Sequence, residues 1–236
     1  MNKQIWLDWR LNKPCPTCKH GYLIPTDKGL MESESRVSKR NEKDYPGCPV
    51  SDYVFSQHFE CDQCGEAAAA VGFVSRNNYS ETEEDVRYAK YSAFIPAPPI
   101  ISIPGSCDST VKHLIIQSFG LFWMDESACA NKIRIAIEVL MDSLRIKKTH
   151  IVKKKREKLS LHNRILEYKK QNAEVANHLL AIKWIGNAGS HLNTLSEEQI
   201  LDAFSLLEYA LELIFNDRKR QFDKMSNQIN KKKKLI

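Results

Sequence analysis

No run of apolar residues in this 236-residue chain approaches the roughly 18 to 20 needed to span a bilayer. No membrane partner is therefore expected. Met1 to Arg10 carries Lys3, Asp8 and Arg10, so it lacks the apolar stretch of a secretory signal, and the expected setting is soluble and cytoplasmic. Several chemistries are missing as well. There is no Gly-x-x-x-x-Gly-Lys phosphate loop, no Gly-x-Gly-x-x-Gly fingerprint, no Gly-x-Ser-x-Gly elbow and no His-Glu-x-x-His helix. Their absence argues against phosphate-loop, dinucleotide-dependent, elbow-type hydrolase and zincin chemistry. The seven cysteines are an odd number, which argues against a disulfide framework.

Four of those cysteines stand in two pairs, Cys15-Pro-Thr-Cys18 and Cys61-Asp-Gln-Cys64-Gly65, with 42 residues between Cys18 and Cys61. Four thiolates at this spacing can close one tetrahedral Zn²⁺ site that clamps the N-terminal third. Metal binding free energy then becomes folding free energy, about 10 to 16 kcal/mol in model peptides. The other reading is two unrelated pairs of buried thiols or a redox dithiol, but a redox motif normally comes once and within a βαβ pattern. Cys48, Cys107 and Cys129 lack ligand spacing and read as buried or incidental. His20 and His58 lie near the pairs and read as surface or supporting groups.

Composition divides the chain. Ile95 to Pro104 holds four prolines in ten residues, which disfavours helix and predicts an extended connector. Residues 1–104 carry 12 Lys+Arg and 14 Asp+Glu, a net of −2, and residues 105–236 carry 23 and 15, a net of +8. The basic excess clusters at Lys147, Lys148, Lys153, Lys154, Lys155, Arg156 and Lys158, with a second run at Lys231 to Lys234. Such runs are either solvated surface or a polyanion-binding patch, and Lys153, Lys154, Lys155, Arg156 and Lys158 are the candidate nucleic-acid contacts.

The two halves differ in period. Tyr53, Phe55 and Phe59 alternate into Cys61, and Ala67, Ala69, Val71 and Phe73 alternate after it, so a strand, a knuckle and a second strand are expected, as in a zinc ribbon. Gly65 permits the turn around the metal. Thr26 to Pro46 is polar and without period, and a mobile loop is expected there. Beyond the connector, helical spacing appears in Val111 to Phe119, in Ile133 to Leu144 within a segment starting near Ser127, from about Glu157 to Gln171, and from about Ala173 to Ile185. Ser196-Glu-Glu-Gln199 reads as a capping box ahead of Ile200 to Phe215. The expected fold is α+β: a small zinc ribbon of short strands over 1–94 with a mobile insertion, a Pro-rich linker over 95–106, a bundle of four or five helices over 107–218, and a basic tail over 219–236.

One stretch stands apart, Lys183-Trp-Ile-Gly186-Asn187-Ala-Gly189-Ser190-His191. Two helical glycines cost about 1 kcal/mol each, so they mark either a helix end or a close approach of another backbone. If the helix persists, Asn187 and His191 lie about 40° apart on one face. They form either a polar site or, with His191 bonding freed carbonyls, an ordinary cap.

This stretch, together with Ala130 to Leu140 upstream, resembles the bacterial family catalogued as domain of unknown function 4145, over roughly residues 95 to 215. That family is similar to the HEPN superfamily, helical bundles named for higher eukaryotes and prokaryotes nucleotide-binding domains, and often follows a zinc ribbon. The resemblance implies a homodimer and a metal-independent ribonuclease motif of arginine, polar residue and histidine, acting on RNA as a toxin or antiviral effector. Asn187 and His191 match the polar residue and the histidine, while the arginine position falls on Gly186. Glycine supplies no charge to a scissile phosphate, so that charge would come from Arg134, one turn before Glu138, or from Lys183. The alternative is a non-catalytic adaptor or dimerisation module, with Arg134 and Glu138 an ordinary i,i+4 ion pair.

Overall fold

The computed structural model describes residues 12–47, 50–77, 86–152, 155–188, 195–215 and 217–232. It is α+β and divides into two compact units, Met1–Pro99 with Phe119–Glu126, and Ile100–Ser118 with Ser127–Ile236.

The first unit is built on a five-stranded antiparallel sheet in sequence order: β1 (Lys13–Pro14), β2 (Tyr22–Glu34), β3 (Val50–Cys61), β4 (Ala67–Asn77) and β5 (Val86–Ile95). Four of these strands are ten to thirteen residues long, so the expected ribbon of short strands is corrected to an extended sheet. The reason lies in the insertion. Pro25 pairs with Phe59, a bulge intervenes, and pairing then resumes from Leu30↔Gln57 to Glu34↔Tyr53. Gln57 steadies the bulge by donating from Nε2 to the carbonyls of Thr26 (3.2 Å) and His58 (2.7 Å). Helix α1 (Arg36–Asp44) follows, capped by Ser35, whose Oγ accepts from the Ser38 amide at 3.0 Å. The Ser38 hydroxyl in turn donates to Glu34 and accepts from the Asp52 amide. The polar segment expected as a mobile loop is thus a strand and a helix whose backbone groups are satisfied by neighbours rather than by an apolar face.

Pairing across the sheet decides which face is core. Phe55 lies across from Gly72 and Phe59 across from Ala68, so the two rings fill space that small partners leave open. A Cβ on Gly72 would come within 2.1 Å of the Lys90 carbonyl oxygen and 2.8 Å of the Phe55 ring. Phe55, Phe59, Tyr91, Phe94 and Trp123 form a chain of ring contacts with centroids 5.0 to 6.3 Å apart. In β4 the buried residues are Ala68, Ala70, Gly72 and Val74, while Val71 and Phe73 of the predicted alternation face outward. The period of two holds, and the bulky β3 rings select the parity.

The second unit is helical. Helix α2 (Ser109–Met124), whose last turns belong to the first unit, starts at Asp108, whose Oδ1 accepts from the Thr110 amide at 2.8 Å. Then come α3 (Glu126–Ser143), α4 (Leu161–Lys169), α5 (Ala173–Ala188), α6 (Glu197–Phe215) and α7 (Asp217–Lys232). The five segments expected from helical spacing correspond to α2 to α6. With α1 and α7 the count is seven among the described residues, above the four or five expected. The capping box is present: Ser196 Oγ accepts from the Gln199 amide at 3.3 Å and Gln199 Oε1 accepts from the Ser196 amide at 3.0 Å. Ile115, Ile133, Ile137, Leu140, Met141, Ile165, Leu179, Phe204 and Leu211 are fully buried. Between α3 and α4 stands a hairpin of β6 (Thr149–Val152) and β7 (Lys155–Lys158), where the third helix was expected to begin near Glu157. Among the described residues no helix is long and apolar enough to cross a membrane.

Gly72→Ala therefore has to displace backbone rather than a flexible side chain. We expect it to lower stability by about 3 kcal/mol or more. A thermal melt indistinguishable from the wild type would contradict the β3–β5 packing described above.

Candidate functional site

The two Cys-x-x-Cys pairs fold as matching turns. In the first, the Lys19 amide donates to the Cys15 carbonyl at 3.2 Å and the Cys15 amide to the Gly21 carbonyl at 2.9 Å. In the second, the Gly65 amide donates to the Cys61 carbonyl at 3.0 Å and the Cys61 amide to the Glu66 carbonyl at 2.9 Å. Each turn also points an amide two residues on at its first sulfur, Thr17 at Cys15 (3.4 Å) and Gln63 at Cys61 (3.5 Å). Both turns need a left-handed residue. Gly65 fills that role in the second at φ 71°, and Lys19 takes it in the first at φ 62°, where an L side chain costs about 1 to 2 kcal/mol.

The turns are laced to each other. Asp62 accepts from the Tyr22 amide at 2.8 Å and its own amide donates to the Tyr22 carbonyl at 3.1 Å, while Thr17 donates to Glu66. Gly21 sits where a Cβ would meet Cys61 Sγ at 2.6 Å and Asp62 Oδ1 at 2.5 Å. All four sulfurs lie within 4.8 Å of one another, and the Cys15–Cys64 and Cys18–Cys61 separations are both 3.7 Å. A Zn–S bond of about 2.3 Å implies tetrahedral sulfur–sulfur edges of about 3.8 Å. The four cysteines can hold a metal ion, and neither His20 nor His58 belongs to the group.

Electrostatics point the same way. Hydrogen bonds from the amides of His20 and Gly21 pull the Cys18 thiol down to about 6, with the Cys61 and Cys64 sulfurs helping against desolvation. At Cys64 the Glu66 amide also lowers the pKa, but desolvation and the sulfurs of Cys61, Cys18 and Cys15 outweigh it and push the thiol up to about 12. Each sulfur that ionises makes the next harder to ionise. A cation removes that conflict by taking all four as thiolates. Cys107 and Cys129 are buried and lie outside the four-sulfur group, the latter donating to the Ser118 carbonyl at 3.2 Å. Cys48 lies outside the described residues.

The second group of candidates is on α3 and α5. Gly186 is buried, and a Cβ there would lie 3.2 Å from both the Ala130 carbonyl oxygen and Arg134 Cβ. Close approach of α3 therefore accounts for this glycine, and any side chain there would be crowded by the Ala130 carbonyl and Arg134. Arg134 pairs with Glu138 at 3.1 Å, and its Nε is buried without a hydrogen-bond partner among the described residues. Asn187 is half-buried near the end of α5, and His191 lies outside the described residues. Lys183 is buried, with Nζ 3.5 Å from the ring centroid of Trp184. Trp184 was not singled out from the sequence. Its signal was an aromatic residue one position past the buried face formed by Ala176, Leu179 and Lys183, and it is 57% exposed.

The third group is the basic cluster. Lys155, Arg156 and Lys158 are in β7, all of whose residues are exposed; Lys153 and Lys154 lie outside the described residues. The base of the hairpin is tied down. Leu159 donates to the Lys148 carbonyl at 2.9 Å, and Asp142 at the end of α3 accepts from Lys148 at 2.8 Å and from the buried Arg164 at 2.6 Å. Burial alone would raise the Asp142 pKa, but the bonds and charges of Lys148 and Arg164 win and hold it below the usual carboxylate range. Arg164 also donates to the carbonyls of Glu138 and Ile146, both at 3.2 Å. Asp142 thus grips the residues on either side of the hairpin.

Residues 117–234 match the family described as Domain of unknown function (DUF4145). The chain belongs to that family. The DUF4145 match covers α3 to α7, the β6–β7 hairpin and the end of α2, and runs later than the 95 to 215 read from the sequence. Residues 4–97, which include both cysteine pairs, match a second family described as Domain of unknown function (DUF8608). No curated protein and no solved structure matches the chain.

Replacing Cys61, which is buried and bridges toward Cys18, removes one donor of four. Cys61→Ser should lose bound metal and melt earlier, whereas Cys129→Ser should retain the wild-type metal content. Elemental analysis of the purified variants reads this directly, and full metal occupancy in Cys61→Ser would exclude the four-sulfur site.

Proposed function

We propose that this chain binds nucleic acid through the β6–β7 hairpin and that its four cysteines hold a structural Zn²⁺. The observation that carries the reading is the hairpin itself, an exposed two-stranded ribbon presenting Lys155, Arg156 and Lys158 from a base fixed by Asp142. Cations held on paired strands lose less conformational freedom on meeting a phosphate backbone than cations on a free loop. The +8 balance of residues 105–236 adds a field of the right sign. Zn²⁺ is preferred for the N-terminal site because four thiolates with no open position suit a closed structural centre. The helical unit is taken as HEPN-like and as the surface for a second copy.

A second reading is a metal-independent ribonuclease, and one contact favours it. Gly186 packs on the Cβ and Cδ of Arg134, next in the chain to Asn187, and Arg134 Nε has no partner among the described residues. His191 would then act as general acid or base, with Arg134 stabilising charge on the phosphate. Cleavage of mixed RNA in a chelator that strips Mg²⁺ but spares the cysteine site, lost in both His191→Ala and Arg134→Ala, is the outcome this reading requires. Cleavage undiminished in His191→Ala would remove it.

The binding reading is tested by salt. Neutralising Lys155, Arg156 and Lys158 together to glutamine should weaken binding to duplex DNA and flatten the slope of log affinity against log salt by up to about 2.7. An unchanged slope would take the hairpin out of the interface.

A further inference from the structure

Trp184 is 57% exposed on α5, an expensive position for the largest apolar side chain unless something covers it. Its surroundings are not those of a stray surface residue. Lys183 places its ammonium 3.5 Å from the centre of the indole ring while being only 9% exposed itself, so the cation is held in place and partly stripped of water. The His162 ring, from the first turn of α4, lies 5.9 Å from the indole. Its Nδ1 is buried without a hydrogen-bond partner among the described residues, a cost that a histidine serving only as packing normally avoids.

The position of His162 in the chain links this cluster to the hairpin. Strand β7 ends at Lys158, Leu159 closes the hairpin base on the Lys148 carbonyl, Ser160 caps α4, and His162 follows. Only three residues therefore separate a phosphate-seeking lysine from the ring that touches Trp184. An aromatic face next to a basic ribbon is the combination that single-stranded nucleic acids use, because each base offers a π face and each phosphate a charge. A duplex cannot use it without unstacking, since its bases are already stacked inside.

We infer that Trp184, backed by Lys183 and His162, is a base-stacking platform at the base of the β6–β7 hairpin, and that the preferred ligand is single-stranded nucleic acid. The inference rests on the nucleic-acid reading given above and assigns its substrate class. The hairpin supplies affinity that depends on salt, and Trp184 supplies affinity that does not.

The test is fluorescence anisotropy of the full-length, metal-loaded protein with a short labelled oligouridine and with a blunt duplex of the same length, each over a range of salt. Trp184→Ala should weaken oligouridine binding by about tenfold, leave its salt slope unchanged and leave duplex binding untouched. Trp184→Phe, which keeps a ring, should restore most of the loss. Circular dichroism on each variant confirms the fold, which an exposed residue is expected to tolerate losing. Wild-type oligouridine affinity in Trp184→Ala, while the hairpin variant still flattens the salt slope, would overturn the stacking platform and leave the hairpin reading standing. No salt-dependent binding of either nucleic acid would remove both.

Discussion

Leu23 lies across from Cys61, and that one pairing makes the sheet register and the cysteine cluster a single constraint. The first turn ends just before β2 begins, and the second turn joins β3 to β4, so the sulfurs converge only if β2 and β3 pair in this register. A slip of one residue would turn every side chain of β2 to the other face and part the two sulfur pairs. The same register runs on across β3 and β4, where it sets Phe55 over Gly72 and Phe59 over Ala68. A metal ion held by the four thiolates would therefore stabilise more than its own ligands, because the packing of the aromatic cluster depends on the same alignment. Gly21 shows how little slack the arrangement has, since even a methyl group there would strike the Cys61 sulfur.

The helical unit works by a different economy. Gly186 gives up helix propensity and gains a close approach to α3, bringing its backbone against Ala130 and Arg134. A Cβ at this position would sit 3.2 Å from both the Ala130 carbonyl oxygen and Arg134 Cβ, so a larger side chain there would require α3 to give way. Charge appears on the hairpin between α3 and α4, a solvent-facing ribbon gripped at its base by Asp142, Lys148 and Arg164. The terminal nitrogens of the buried Arg164 donate to one carboxylate and two carbonyls, so its charge is paired at 7% exposure even though its Nε has no partner among the described residues. Exposed positive charge is thus carried by an appendage to the helices rather than by their packing seam.

Much of this was legible in the residues. The Cys-x-x-Cys pairs named their own cluster because thiols at that spacing rarely serve anything but a shared ion. Helices α2 to α6 were visible in their apolar spacing, and the Ser196–Gln199 box was visible because both of its partners are local. The misses share a cause. The second half of β2 and helix α1 are polar on nearly every side, and their stability comes from Ser35, Ser38, Glu34 and Asp52 bonding across elements, which no local pattern records. The hairpin was hidden in a run of lysines whose composition says surface and nothing about strand. In β4 both sets of alternate residues are apolar or small, so period alone could not say which set faces inward.

What the sequence determined by itself were the features set within one turn or one short repeat: the cysteine turns, the caps, the helical faces, the break in composition at the prolines and the uneven charge. What only the tertiary structure decided were the features that depend on a partner far along the chain. These are the parity of β4, the reason for Gly186, the exposed ring of Trp184 beside His162, and the anchoring of the basic ribbon through Asp142. The physical reason is range. Backbone propensity and capping act over a few residues and leave their mark locally, whereas burial and close packing depend on which distant side chains arrive at the same place.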